Sequence, residues 1–468
     1  MRSEGHSRFV RRDRRAIACA CVVALAIAFT TSVQAQTTGR WIGTWSTAPM
    51  ALLPPPPAAR NLPPSPAFPM PPQISNQTIR QIVHTSIGGS SVRVALTNRF
   101  GTAPLRIGAA HVAARGDGSA IAERSGGRLA FRGNPSVTIE AGATVVSDPV
   151  AMAVRPLGDV AIDLYLPDDT WGTMSPATYH ASSLSTTYVS AKGNHAGTPR
   201  LPVEGTFQSW LFLSRVDVSG TTAPGAIVTM GDSITDGTGS TADGNGRWPD
   251  VLAQRLVKQY GAAAPAVLNA GIAGNRLLGH NAGMTLLRRA GLQLPNAEQL
   301  DDPNALFGPS GLSRLDQDVL LQPGVTHVIV LETINDIGMT TDPASPKVEE
   351  LIAGHRALIQ RAHARGLKVY GATLTPFKGA FYWTEGGEAK RQAVNTWIRT
   401  SKEYDAVVDF DAAVRDPNDP ARFRADYHPG DWLHANDAGY KAMAGAIDLA
   451  LLASKGAMSA PARTTTAK

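Results

Sequence analysis

Two rhythms of apolar and polar positions divide the chain. From residue 76 to 218 apolar residues recur in short alternating runs. Val92, Val94 and Leu96 alternate with Arg93, Ala95 and Thr97, which predicts a strand buried on one face. Gly88-Gly89 supplies a turn from a preceding strand over Thr78–Thr85. Further strands are expected near Trp41–Ser46 and at Val137–Ile139, Thr144–Val146, Val160–Leu166 and Phe207–Val218. Turn residues separate these runs and helical periodicity is scarce. Residues 36–220 therefore read as a β-rich domain of the β-sandwich or jelly-roll kind. Residues 52–72 interrupt it with a proline-rich run that includes Pro54 to Pro57 and Pro69, Pro71 and Pro72. Such a run favours an extended, exposed loop and cannot enter a sheet interior.

After Ser219–Gly225 the rhythm changes. Short apolar runs at Ala226–Met230, Ala266–Asn269, Val325–Leu331, Leu367–Leu374 and Ala406–Phe410 read as strands. Between and after them, Trp248–Gln259, Ser313–Leu321, Lys347–Arg365, Gly387–Ser401 and Asn436–Leu452 read as helices. The alternation predicts an α/β domain over 224–453, a parallel sheet with helices on both faces. Segment 279–312 has no clear period and is expected over the sheet edge or the site. The polar, alanine-rich residues 454–468 read as a disordered tail.

The first 35 residues stand apart. Arg8, Arg11, Arg12, Arg14 and Arg15 precede an apolar stretch from Ala16 to Phe29, and Val33-Gln34-Ala35 fits signal-peptidase cleavage. A signal peptide over 1–35 implies a secreted protein, periplasmic or extracellular. It also changes the charge reading. Six arginines against Glu4 and Asp13 put +4 of the chain's net +6 in this leader, which leaves +2 and no case for nucleic-acid binding. Both cysteines, Cys19 and Cys21, lie in the same leader, so the remainder has no thiol nucleophile or thiolate metal site. No later stretch is long and apolar enough to span a membrane, and no stable membrane anchor is expected.

Candidate chemistry gathers at the ends of the expected parallel strands. Ser233, in Gly231-Asp232-Ser233-Ile234-Thr235-Asp236-Gly237, follows the first of them. An ordinary strand-ending turn would explain that tripeptide alone; three later segments argue for more. A serine hydroxyl needs a base. His434 in Asp431-Trp432-Leu433-His434 is the candidate, with Asp431 three residues earlier to hold its Nδ1. An oxyanion needs hydrogen-bond donors. Gly274, within Asn269–Arg276, and Asn335, in Thr333-Ile334-Asn335-Asp336, follow the second and third strands. Strand C-termini of such sheets form one ligand-binding crevice.

These four ordered blocks resemble the GDSL/SGNH hydrolase superfamily. The resemblance covers about residues 224–452 and implies a flavodoxin-like three-layer fold (the SGNH fold) behind the β-rich domain. It implies Ser233 as nucleophile, His434 as base, Asp431 as its orienter, and Gly274 and Asn335 as oxyanion donors. It also implies an esterase without a metal or other cofactor. The substrate would be a small-molecule or polysaccharide ester: acylated carbohydrate by analogy with secreted members, or a lipid or aryl ester. One position departs from the pattern. Thr333 stands where the superfamily usually has glycine, and if that loop needs positive φ, Asn335 is expected to be misplaced.

Two other readings stand beside this one. Asp426, His428, Asp431 and His434 fall within nine residues, a spacing that can bind a divalent metal. Trp171, Tyr179, Trp210 and Phe212 could form a sugar platform on a protein that binds glycans without hydrolysing them.

Overall fold

The computed structural model describes residues 39–55, 71–281, 302–340, 342 and 344–452. The expected signal peptide, most of the proline-rich loop, the tail and the middle of segment 279–312 lie outside them.

The second half carries a five-stranded parallel sheet. Its strands are β1 (Ala226–Gly231), β2 (Ala266–Gly271), β3 (Val325–Leu331), β4 (Lys368–Ala372) and β5 (Ala406–Val408). They lie side by side in the order β2-β1-β3-β4-β5, the flavodoxin-type order. Central β1 is buried along its whole length, as its unbroken apolar run requires. Around the sheet run α1 (Ser233–Asp236), α2 (Trp248–Tyr260), α3 (Gly311–Leu315), α4 (Ile334–Gly338), α5 (Val348–His363), α6 (Glu385–Thr400), α7 (Phe410–Val414) and α8 (Asp437–Gly445). Helix α8 packs with α2 and α7, while α5 packs with α3 and α6. The sheet wrapped in helices is the three-layer α/β arrangement that the resemblance implies.

The first half is antiparallel throughout its named ladders. Its largest sheet orders Val203–Phe207, Thr187–Lys192, Gln77–His84, Asp159–Leu166, Ala109–Ala114 and Gly127–Leu129. A second sheet centres on Gly89–Thr97 and Leu213–Ser219, with Ile42–Ser46 on its flank. A third, of three strands, pairs Ala177–Ala181 with both Ser209–Leu211 and Met50–Leu52. One apolar core runs through both halves, and Gly39 onward is a single compact unit.

Several boundaries differ from expectation. The run Phe207–Val218 is not one strand. Phe212 takes φ +58°, which breaks it so that Ser209–Leu211 and Leu213–Ser219 join different sheets. The helix expected over 313–321 is α3 followed by a wider π turn at Asp316–Leu320. The last helix stops at Gly445, before a 3-10 turn at Leu449–Leu452. The four aromatic residues do not form one exposed sugar platform. Trp210 and Phe212 are core residues, Tyr179 is 5% exposed, and Trp171 is half-buried; Trp210 meets Trp45 edge-on at 4.8 Å. Among the described residues no helix is long and apolar enough to cross a membrane.

Candidate active site

Strand β1 delivers Ser233 to the start of α1, and the turn between them is tightly specified. Asp232 caps the helix, its carboxylate accepting the Ile234 N–H at 2.9 Å. A Cβ on Gly231 would stand 2.1 Å from the Thr235 hydroxyl and 2.6 Å from the Leu331 carbonyl oxygen, so no larger residue fits. The result is a serine hydroxyl held at the C-terminal edge of the sheet.

His434 comes to it from 201 positions further along the chain. Its Nε2 lies 2.9 Å from Ser233 Oγ. Its Nδ1 lies 2.6 Å from Asp431 Oδ2. Asp431 in turn accepts the N–H groups of Leu433 and His434 at 3.0 and 3.1 Å. Burial pushes the Asp431 carboxyl up, but the His434 bond and charge and the two backbone donors outweigh it and hold the pKa at about 2. It is therefore an anion across the working pH range, suited to fix the histidine with its proton on Nδ1.

Gly274 and Asn335 line the same cleft as Ser233 and His434. Gly274 has φ +76°, and a Cβ there would lie 2.2 Å from the Phe307 ring. Both conformation and space demand glycine. Neither its N–H nor that of Ser233 has an acceptor among the described residues. The Asn335 amide is oriented from both ends. Its Nδ2 donates to the Asn275 carbonyl at 3.0 Å, and its Oδ1 accepts the Tyr382 hydroxyl at 3.1 Å. Burial raises the Tyr382 pKa, which keeps that phenol a donor.

Thr333 overturns one expectation. It adopts φ +97°, ψ −8°, the conformation that a β-branched residue was expected to refuse. Asn335 is nevertheless held in the cleft. The threonine absorbs the strain instead, buried with its hydroxyl 3.5 Å from His355 Nε2.

The four residues weighed as a metal cluster go to separate partners. Asp426 pairs with Arg424. His428 Nδ1 accepts the Gly430 N–H at 3.0 Å, and its ring lies 4.1 Å from that of Trp432. Asp431 and His434 pair with each other instead, and of the two only His434 reaches Ser233.

Several residues that shape the site were given no role by the sequence, whether outside the motif blocks, like Arg314, or inside them, like Asp336 and Asp232. Arg314 on α3 is fully buried. It donates to the carbonyls of Gly231 and Ala270 and to the side chains of Asn275 and Glu332. It thereby ties the ends of β1, β2 and β3 together. Its only sequence signal is a lone arginine among Leu312, Leu315 and Val319. Asp336 accepts the N–H groups of Leu277 and Leu278 at 2.8 and 3.0 Å. Burial raises the pKa of Asp232 to about 7, and the charges of Asp336 and Asp236 add to the rise against the Ile234 N–H and Arg314. The floor of the site is thus a cluster of buried carboxylates around one arginine. The cleft itself measures about 470 Å³.

The family model of the GDSL-like lipase/acylhydrolase family matches residues 229–442. Among solved structures, LAE5, an alpha/beta hydrolase from the metagenome of Lake Arreo, Spain, is 22% identical, with 49% of this chain and 94% of that one covered at a TM-score of 0.34. A carbohydrate acetylesterase family member from Sinorhizobium meliloti is 14% identical, with 48% and 97% covered at a TM-score of 0.36. A putative lipolytic protein of the G-D-S-L family from Desulfitobacterium hafniense is 18% identical, with 47% and 96% covered at 0.32. No curated protein matches. The chain thus carries a GDSL-like lipase/acylhydrolase domain between residues 229 and 442.

Proposed function

We propose that this protein is a serine carboxylic-ester hydrolase that works through an acyl-enzyme. One observation carries the reading: an unbroken hydrogen-bonded line from Ser233 Oγ through His434 to Asp431, with contacts of 2.9 and 2.6 Å. In this mechanism Ser233 Oγ bonds to the ester carbonyl carbon while His434 Nε2 takes its proton. The carbonyl electron pair moves onto oxygen. The N–H groups of Ser233 and Gly274 and the Asn335 amide receive that charge, and each such donor is worth about 3–4 kcal/mol of barrier. Collapse breaks the bond to the alcohol, which leaves with the proton from His434. Water then gives a proton to His434 and attacks the acyl carbon. The acid departs and Ser233 regains its hydrogen.

Among the described lining residues the apolar side chains Met50, Leu306, Phe307, Met339, Phe381 and Leu433 predominate, and no Asp, Glu, Lys or Arg takes part. That composition favours neutral esters with an apolar acyl or alcohol group over acetylated carbohydrate. We read residues 1–35 as a signal peptide, hence a secreted enzyme. We read 36–220 as a β-sandwich or jelly-roll-like accessory domain ahead of the hydrolase domain 224–453.

The test is hydrolysis of p-nitrophenyl acetate, butyrate and octanoate by wild type and Ser233→Ala, with and without EDTA. Activity should survive EDTA and vanish in the alanine variant. Each methylene buried in the cleft adds about 0.8 kcal/mol, so kcat/KM should rise from acetate to butyrate. A preference for acetate would return acetylated carbohydrate to the front. Activity that survives Ser233→Ala and dies with EDTA would refute the serine mechanism.

A further inference from the structure

The strand Ala177–Ala181 belongs to the antiparallel half, yet it forms part of the active-site wall. Side chains of successive strand residues point to opposite faces. Tyr179 and Ala181 line the cleft beside Ser233 and His434. His180 lies between them on the other face, 2% exposed. Its Nδ1 is 2.8 Å from the Ala48 carbonyl oxygen. A carbonyl can only accept, so Nδ1 carries a proton. Its Nε2 is 3.0 Å from Asp236 Oδ1.

Asp236 is the last residue of α1, the helix that Ser233 begins. Its other oxygen, Oδ2, accepts the Ala273 N–H at 3.0 Å. Ala273 is bonded directly to Gly274. A continuous path therefore leads from the antiparallel half to the Gly274 amide, through a buried carboxylate that touches both. Burying a histidine and a carboxylate together brings little net stability. Such a pair is better explained by the geometry that it fixes. Packing alone, against the Trp210 ring at 5.5 Å, would not call for an acid at Nε2.

We propose that His180 is a positioning residue for the oxyanion site: it holds the Asp236 carboxylate so that Ala273 is fixed and the Gly274 N–H faces the cleft. The inference rests on the ester-hydrolase reading above. The substrate never meets His180; it meets the amide that His180 keeps in place.

The experiment uses the full chain with His180→Phe, His180→Gln, Asp236→Leu and Asp236→Asn. It reads kcat and KM on p-nitrophenyl butyrate, the Kd of phenylboronic acid, and the melting curve. A boronic acid adds to the serine hydroxyl and presents a tetrahedral oxyanion, so its affinity reports the donors. His180→Phe should lower kcat about 10- to 100-fold, leave KM within about threefold, and weaken the boronic acid in step with kcat. His180→Gln should recover part of the loss, because its amide can still donate to Asp236. Asp236→Asn should fall less than Asp236→Leu, because its amide can still accept from Ala273 and hydrogen-bond His180 Nε2. Should His180→Phe fail to fold, the Gln variant and the Asp236 pair decide the matter. Folded variants with wild-type kcat, or with KM raised and boronic-acid affinity unchanged, would overturn the proposal. A wild type that hydrolyses no ester would take down the parent reading and this inference together. A wild type that is active, silenced by Ser233→Ala and indifferent to His180→Phe would refute this inference alone.

Discussion

Thr333 holds the most strained backbone noted in the site. A β-branched residue at φ +97° bears about 1–3 kcal/mol of strain. Glycine would relieve it but would cost about 0.5–1 kcal/mol in unfolded-chain entropy. The long contact from the Thr333 hydroxyl to His355 offsets little at 3.5 Å. Thr333→Gly should therefore stabilise the protein by about 1 kcal/mol, seen as a higher urea midpoint, with kcat unchanged or raised. A fall in both would show that the threonine has a positive role through its hydroxyl. The substitution is instructive because the sequence made the position look like a fault in the site. The fold instead keeps the glycine conformation and lets another residue occupy it.

At the scale of elements, the ends of β1, β2 and β3 meet on one buried side chain. Arg314 lies 3.3 Å from Glu332 and 3.6 Å from Asp318, and its remaining donors go to Gly231, Ala270 and Asn275. Arg314→Met would fill the volume but leave buried Glu332 without its cation, while Asp318 would keep Arg99. A loss of about 3–5 kcal/mol is expected, measurable by denaturant unfolding, with activity lost in parallel as the strand ends part. Little of this was legible in the chain. The four blocks could be read because each is local: Gly231 and Ser233 in one turn, Asp431 and His434 three residues apart. In the second half the strands and longer helices followed from periodicity, although the last helix ends at Gly445 and not at Leu452; in the first half, strands such as Ala109–Ala114, Ala177–Ala181 and Thr187–Lys192 were not expected. The break at Phe212 could not be read, because an aromatic residue at positive φ leaves no mark in an apolar run. Arg314, Asp336 and His180 escaped because their meaning lies in partners distant in sequence. Asn335 was placed by its motif, but its orientation depends on Tyr382, 47 residues away.

Across the whole molecule, the antiparallel and parallel halves share bonds as well as a core. The Val267 N–H on β2 donates to Ser86 Oγ at 3.1 Å. Arg99 pairs with Asp318 at 2.7 Å, and Thr186 hydrogen-bonds Asp243. A Cβ on Gly43 would meet Leu268 at 2.9 Å, which shows how closely the first strand lies on the sheet. Halves joined in this way should unfold together. One calorimetric transition is expected, coincident with loss of secondary structure by circular dichroism. Two resolved transitions would mean that the core is not shared energetically.

The strand Ala177–Ala181 has a consequence for how such a protein can diverge. Tyr179 forms part of the cleft, and its neighbour His180 reaches the loop of Gly274 through Asp236. Recombination that exchanged the first half for another would therefore replace a wall of the cleft and a support behind it in a single event. Lineages could drift apart in which esters they accept while their four signature segments stayed letter for letter the same. Kinship judged from those segments alone would then miss the change, because the letters that record it lie in the half that carries no signature.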